Sequence, residues 1–356
     1  MIVLGDIACP TLDLNKKLAS VFAETSLFTS KNMVCNLEGL VCDEEVNHLG
    51  KPVLYNHSTV IETLANAGVK AVSLANNHTL DLAEQFDQTM SLLDNNHIIY
   101  NGAGRSREEA GKNISFDDHD QKIIVLSSCW DFLLYHQKNP HKGIYIHTIN
   151  QQDILKDVKN IREKDKTSKI MIYVHWSFDL EIIPFPMYRL WSRALIDEGA
   201  DFIVGCHSHC VQGGEKYKNG YIVYGLGNFY LPNGVFAGGT LRFPEFAKIQ
   251  LAFEYDSRNG EARCHWFRYN EDHTLTFHKS ELFEDSELLK EYSPFQNMDD
   301  QSYIGFYKRN RRKKMLVPVY KNHKNIFTNL IYTQLLKVRA KFARFLAEKK
   351  VIKWQN

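Results

Sequence analysis

The sequence predicts an α/β fold with a largely buried sheet, on three observations. Short β-branched runs alternate with helical periodicities through roughly the first 230 residues. Helical stretches stop at glycine, as where Ala67 precedes Gly68 and Glu198 precedes Gly199. Metal-capable side chains stand just past several strand ends, where the crevice of an α/β sheet forms.

In chain order, strands are expected at Ile2–Leu4, Met33–Leu37, Lys70–Leu74, Lys122–Ser127, Lys169–Val174, Asp201–Val204 and Tyr221–Tyr224. Helices are expected between them at Leu12–Glu24, Thr59–Ala67, Asp81–Asn95, Gln151–Glu163 and Met187–Glu198. The pattern then changes. Gly239–Tyr255, Glu261–Tyr269 and Thr274–His278 read as consecutive antiparallel strands, with a turn at Ser257-Arg258-Asn259-Gly260. Asp285–Tyr292 reads as a helix. Polar residues dominate Ser293–Arg312, and the basic cluster Lys308–Lys314 reads as a linker. In Asn325–Lys350, Phe327, Ile331, Leu335, Val338, Phe342 and Phe345 recur at three- and four-residue spacings, one apolar stripe on an otherwise basic helix. This organisation predicts a main domain over 1–300 and a basic linker with an amphipathic helical tail over 301–356.

With 44% hydrophobic and 24% charged residues, the chain has the material for an ordinary core, which excludes a disordered protein. A net charge of +1 implies no partner, but its distribution does. Residues 308–356 hold fifteen lysines and arginines against one acid, Glu348, leaving 28 basic and 41 acidic residues in 1–307. That asymmetry suggests an anionic membrane surface, a partner protein or the acidic body of a neighbouring subunit as partner of residues 308–356; the plainer reading is a helix docked on the body with its apolar stripe as a lid. No recognised nucleic-acid-binding frame accompanies the charge, so no nucleic acid is expected. Seven cysteines, an odd number in a chain this large, read as reduced thiols. Met1 leads straight into Ile2-Val3-Leu4-Gly5-Asp6 without signal-peptide features, and no apolar run is long enough to span a bilayer. The expected location is cytoplasmic, with room for peripheral attachment at the inner membrane face.

Five segments carry the candidate chemistry: Gly5-Asp6, Asn36-Leu37-Glu38-Gly39, Asn76-Asn77-His78-Thr79-Leu80-Asp81, His175-Trp176 and Gly205-Cys206-His207-Ser208-His209. Two carboxylates, an amide oxygen and three imidazoles suit Zn, Mn, Fe or Co better than Ca, which prefers oxygen alone. A carboxylate bridging two such ions would let both polarise a phosphoryl group and activate a water. Glu38 could instead be a helix-capping or salt-bridged acid. Asn76 reads as a loop anchor through side-chain to backbone bonds, and Cys206 and Cys210 as packing thiols, since their spacing fits no closed zinc site.

The ordered set Gly-Asp, Asn-Leu-Glu, Ala-Asn-Asn-His-x-x-Asp, His-Trp, Gly-x-His-x-His and Leu-Gly-Asn-Phe resembles the CapA family of bacterial capsule-synthesis proteins, from about Ile2 to about Phe229. The resemblance implies a calcineurin-like metallophosphoesterase sandwich, two mixed sheets flanked by helices, in capsule or poly-gamma-glutamate production. It implies two divalent ions (Mn, Zn or Fe). One would be held by Asp6, Glu38 and His209, and the other by Glu38, Asn77, His175 and His207. His78, oriented by Asp81, would serve as general acid or charge stabiliser. His57, Asn228 and Arg189 are candidate substrate contacts. Three positions depart from the superfamily pattern. Ala8 stands where a metal-binding His is usual, Ser177 where Gly follows His-Trp, and Ser208 where Pro separates the last two His. The implied function is phosphoester hydrolysis on a phosphorylated or polymeric saccharide or peptide substrate. The alternative is a non-hydrolytic, metal-binding part of a membrane-associated polymer synthase or export complex.

Overall fold

A computed structural model describes residues 1–44, 46, 52–135, 143–314 and 317–348, with 343–348 given by backbone alone. Its architecture is a four-layer sandwich, with two mixed sheets face to face and helices outside both. In the first sheet the order is Leu275–Leu282, Ala262–Tyr269, Ile249–Tyr255, Ile2–Ile7, Met33–Leu37, Val69–Ser73 and Ile99–Asn101, with Asn228–Tyr230 paired to Ile2–Ile7. Its strands from Ile2–Ile7 onward are parallel, and the segments after residue 248 add an antiparallel meander. In the second the order is Gly214–Tyr217, Gly220–Val223, Phe202–Cys206, Lys169–His175, Gln121–Cys129 and Ile114–Asp118. Its four central strands are parallel and both edges antiparallel.

Strand periodicity produces the layers. Ile2, Leu4 and Ile7 pack outward under the helices Leu12–Glu24, Thr59–Ala67 and Phe86–Asn95, whereas Val3 faces the opposite sheet. Likewise Ile170, Ile172 and Val174 face the outer helices, while Met171 and Tyr173 join Val3, Val34 and Phe253 between the sheets. Each β-branched run was legible because both faces of these strands are buried.

Four expectations are corrected. The helix expected at Asp81–Asn95 begins at Phe86, since Asp81 is held in a loop by His78. The strand expected from Gly239 begins at Ile249, after 3-10 turns at Ala237–Gly239 and Glu245–Lys248. The polar stretch before Arg312 contains the helix Asp300–Asn310, which buries Tyr303 and Tyr307 in the core of the second sheet. The boundary at 300/301 therefore runs through packed structure. The tail helix Ile326–Glu348 turns its predicted stripe outward and packs through Thr333, Leu336 and Ala340. The side chains of Arg344 and Phe345, and residues Lys349 and Lys350, lie outside the described residues.

An ion-pair cluster ties the meander to the parallel strands. Glu254 lies 2.9 Å from His265 Nε2 and 2.5 Å from Lys31 Nζ. Burial alone would raise its pKa, but these partners pull it from 4.5 to about 2. A folded pKa below the unfolded one contributes stability that is present above about pH 4.5 and lost as pH falls towards 2. Glu254→Gln should therefore lower stability at pH 7 by on the order of 2 kcal/mol. In urea unfolding at stepped pH, variant and parent should converge near the acid end.

Candidate metal centre

The parallel strands deliver the candidate ligands to one end of the sandwich. Asp6 lies in register with Asn228 and Asn36 on its two neighbours, and His175 with Cys129 and Cys206. Asp6 accepts from the Asn36 amide at 2.8 Å and from the His207 backbone N–H at 3.0 Å. Asn76, as expected of a loop anchor, donates to Asn36 Oδ1 and to the Leu37 carbonyl, and accepts from the His78 N–H. Gly39 has φ +82°, and a Cβ there would come within 2.0 Å of the Leu54 carbonyl, so the turn that presents Glu38 requires glycine.

Asp6, Glu38, His175, His207 and His209 converge. His175 Nε2 lies 2.8 Å from Asn77 Oδ1 and 3.8 Å from Glu38 Oε1, and its Nδ1 lies 3.8 Å from Asp6 Oδ1. His209 Nδ1 lies 3.8 Å from Asp6 Oδ2. His175 and His207 have ring centroids 4.6 Å apart. Among the described residues two buried donor groups emerge, Asp6 with His175 and Cys206, and Glu38 with His207 and His209. His78 Nδ1 sits 2.6 Å from Asp81 Oδ2, and its Nε2 is 3.9 Å from Glu38.

The electrostatics of these groups suit a cation. Burial pushes the Glu38 carboxyl well above the usual carboxylate range, reinforced by Asp6, and burial likewise raises Asp6. The same desolvation holds His175 well below the ordinary imidazole value and His207 down to about 3. Both oxygens of Glu38 and both ring nitrogens of His207 are buried without a hydrogen-bond partner. Buried polar atoms are rarely left this way unless an ion or water satisfies them. The donor set thus fits divalent metal, with neutral imidazoles and carboxylates that a cation would hold ionised.

Backbone strain marks the same place. His207 (φ 85°), His209 (φ 54°) and Ser177 (φ 79°) occupy the left-handed region, costly for residues with a Cβ. A φ in this region is one that glycine adopts without strain, so Ser177 is held there against its preference. Ser177 also accepts from Gln212, so here its hydroxyl is used.

Sequence reasoning missed Asp179. Its carboxylate lies 3.4 Å from His207 Nε2 and 3.7 Å from His209 Nε2. Its side chain is only partly buried, and the desolvation that would raise its pKa is outweighed by the two imidazoles and Lys313, which hold it below the usual range. It follows His175 by four residues and obeys the strand-end rule used for the other ligands, which could have found it. Asp179 thus adds a carboxylate beside His207 and His209, in a set to which Ala8 supplies no donor. Asp179→Ala should weaken divalent-metal affinity about 10- to 100-fold, as read by calorimetric titration.

The three substrate candidates separate. Asn228 Oδ1 lies 2.7 Å from His209 Nδ1, so this side chain fixes the His209 ring. His57 lies 2.9 Å from Thr59 Oγ1 and 3.6 Å from Asp43, at the start of the helix Thr59–Ala67. Arg189 is a correction. It is fully buried, 3.2 Å from Glu215, and donates to the carbonyls of Phe295, Gln296 and Met298, which makes it a structural anchor.

Residues 3–233 match the family model described as bacterial capsule synthesis protein PGA_cap. The chain belongs to this family. Among relatives, the capsule biosynthesis protein CapA of Bacillus anthracis is 27% identical over 193 residues, 53% of this chain and 46% of that protein. The PGA biosynthesis protein CapA of Bacillus subtilis is 27% identical over 216 residues, 59% of this chain and 53% of its own length. This PGA_cap chain thus aligns with about half the length of those relatives. Among solved structures, the calcineurin-like phosphoesterase YfkN of Bacillus subtilis shares 10% identity, over 82% of this chain and 94% of that chain, with a TM-score of 0.41.

Proposed function

We propose that this PGA_cap protein is a metal-dependent phosphoester hydrolase of capsule or surface-polymer biosynthesis, working with two divalent ions (Mn, Zn or Fe). The observation that supports it best is the buried convergence of Glu38 and His207, whose donor atoms make no hydrogen bond, with Asp6, Asn77, His175 and His209 around them. When bound, the metal would supply Lewis-acid polarisation of the phosphoryl group and an activated water. Glu38, Asn77, His175 and His207 would hold one ion, and Asp6, Glu38 and His209, completed by Asp179, the other. His78 does the proton work. Asp81 fixes its Nδ1, leaving Nε2 to protonate the leaving-group oxygen. Asn36 and Asn228 keep Asp6 and His209 in position.

The substrate class proposed is a phosphorylated or polymeric saccharide or peptide, met at the cytoplasmic side. The test is elemental analysis of the purified chain together with hydrolysis of para-nitrophenyl phosphate and its bis-ester under added Mn, Zn or Mg. About two ions per chain and turnover are expected. His78→Ala should cut turnover about 10²- to 10⁴-fold with metal content unchanged. Metal without turnover on any phosphoester would overturn the hydrolase and favour a non-hydrolytic assembly role.

A further inference from the structure

The C-terminal helix Ile326–Glu348 presents two unlike faces. Its inner face is packed: Thr333 Oγ1 lies 3.1 Å from the Tyr320 hydroxyl, and Leu336 and Ala340 are buried in the aromatic core of the second sheet. Lys337 reaches Asp131, just beyond the strand that pairs with His175. The outer face carries Phe327 (77% exposed), Leu330, Ile331, Leu335, Val338 (65%) and Phe342 (61%). At about 100° per residue the two sets lie on opposite sides of the helix axis. Single exposed apolar residues are ordinary, but six aligned along one helix form a patch that implies a partner.

Charge and apolarity together select that partner. The surrounding segment is strongly basic, with Lys324, Lys337, Arg339 and Lys341 on or beside the helix, whereas residues 1–307 carry an excess of acid. Another copy of the chain fits poorly. Pairing two such helices would oppose like charges, and an acidic body would meet the charge but not the apolar stripe. Among the described residues outside this helix, the large exposed hydrophobics are Leu12, Tyr145 and Phe277, on separate elements. An anionic bilayer offers both layers at once, phosphate headgroups for the lysines and acyl chains for the aromatic and aliphatic tips. Among the described residues no helix is long and apolar enough to cross a membrane, so the contact would lie in the interface plane.

We propose that the outward face of Ile326–Glu348 docks this protein, in plane, on an anionic phospholipid surface, independently of whether it hydrolyses phosphoesters. The test sediments the metal-loaded full chain with vesicles of phosphatidylcholine containing about one-third phosphatidylglycerol, and with phosphatidylcholine alone. Binding to the anionic vesicles is expected, at least about ten-fold above the neutral ones and weakened by salt. The quadruple variant Phe327→Ser, Ile331→Ser, Val338→Ser, Phe342→Ser should lose at least about ten-fold in partitioning. These side chains are exposed, so its thermal melting should match the parent. As a second reading, Val338→Trp should add fluorescence that shifts blue on anionic vesicles and is quenched by brominated acyl chains. Three results would overturn the proposal: no anionic-vesicle binding by the parent, equal binding by the serine variant, or a stable dimer in solution that those serines dissociate.

Discussion

Replacing Glu38 with alanine should reduce bound metal from about two ions per chain to one or none and lower phosphoester turnover by about a thousandfold or more. Its carboxylate is completely buried, its oxygens have no hydrogen-bond partner, and His78, His175 and Asp6 crowd it from different strand ends. An isolated buried carboxylate is costly, so in metal-free protein this residue works against folding. Alanine should therefore leave the chelator-treated chain no less stable than the parent, which a merely structural acid would not allow. In the parent, metal at a hundred-fold excess over its dissociation constant should add about 2.7 kcal/mol per site, a gain largely absent in the variant. Thermal melts with and without chelator separate the two states without recourse to activity. A metal-free Glu38→Ala chain that unfolds far more easily than the metal-free parent would show that Glu38 holds the fold instead.

Arg189→Ala should act in the opposite sense, destabilising the chain by about 3–5 kcal/mol in urea unfolding while leaving metal stoichiometry intact in the folded fraction. The guanidinium is shared between Glu215 and three carbonyls in the turn from Phe295 to Met298, and lies 4.7 Å from the Tyr303 ring centroid. Its removal leaves a cavity and orphans those carbonyls, although Arg193 and the Tyr224 hydroxyl would still pair with Glu215. Lysine should rescue little, because one ammonium cannot reach the carboxylate and the separate carbonyls together. A stable variant impaired only in hydrolysis would restore the substrate role that its sequence position first suggested.

The two residues show what a local cue can point to and what it cannot reach. Glu38 was singled out because the cue is local: an apolar strand, then an acid, then a glycine whose φ of +82° the turn demands. The same cue applied to His175, His207 and His209, and it reached Asp179 unread, four residues beyond a strand end. Arg189 sits on a helix whose spacing says only that it is amphipathic. Whether its side chain meets solvent, substrate or Glu215 depends on a strand 26 residues away in sequence and on carbonyls more than 100 away. Asn228 was noticed for its motif, but its task of orienting His209 rests on parallel pairing with the first strand.

By itself the sequence determined the α/β alternation, most strand positions, the order of the candidate ligands and the basic, amphipathic tail, because each is written in the chemistry of near neighbours. Tertiary structure alone decided that Asp179 joins the histidines, that Arg189 anchors a buried turn, and which face of the tail packs inward. Periodicity shows that a helix has an apolar stripe but not what that stripe meets. Here the aromatic core around Tyr320 takes up Tyr332, Thr333, Leu336 and Ala340, and Phe327, Ile331 and Phe342 on the other side of the helix are left facing outward.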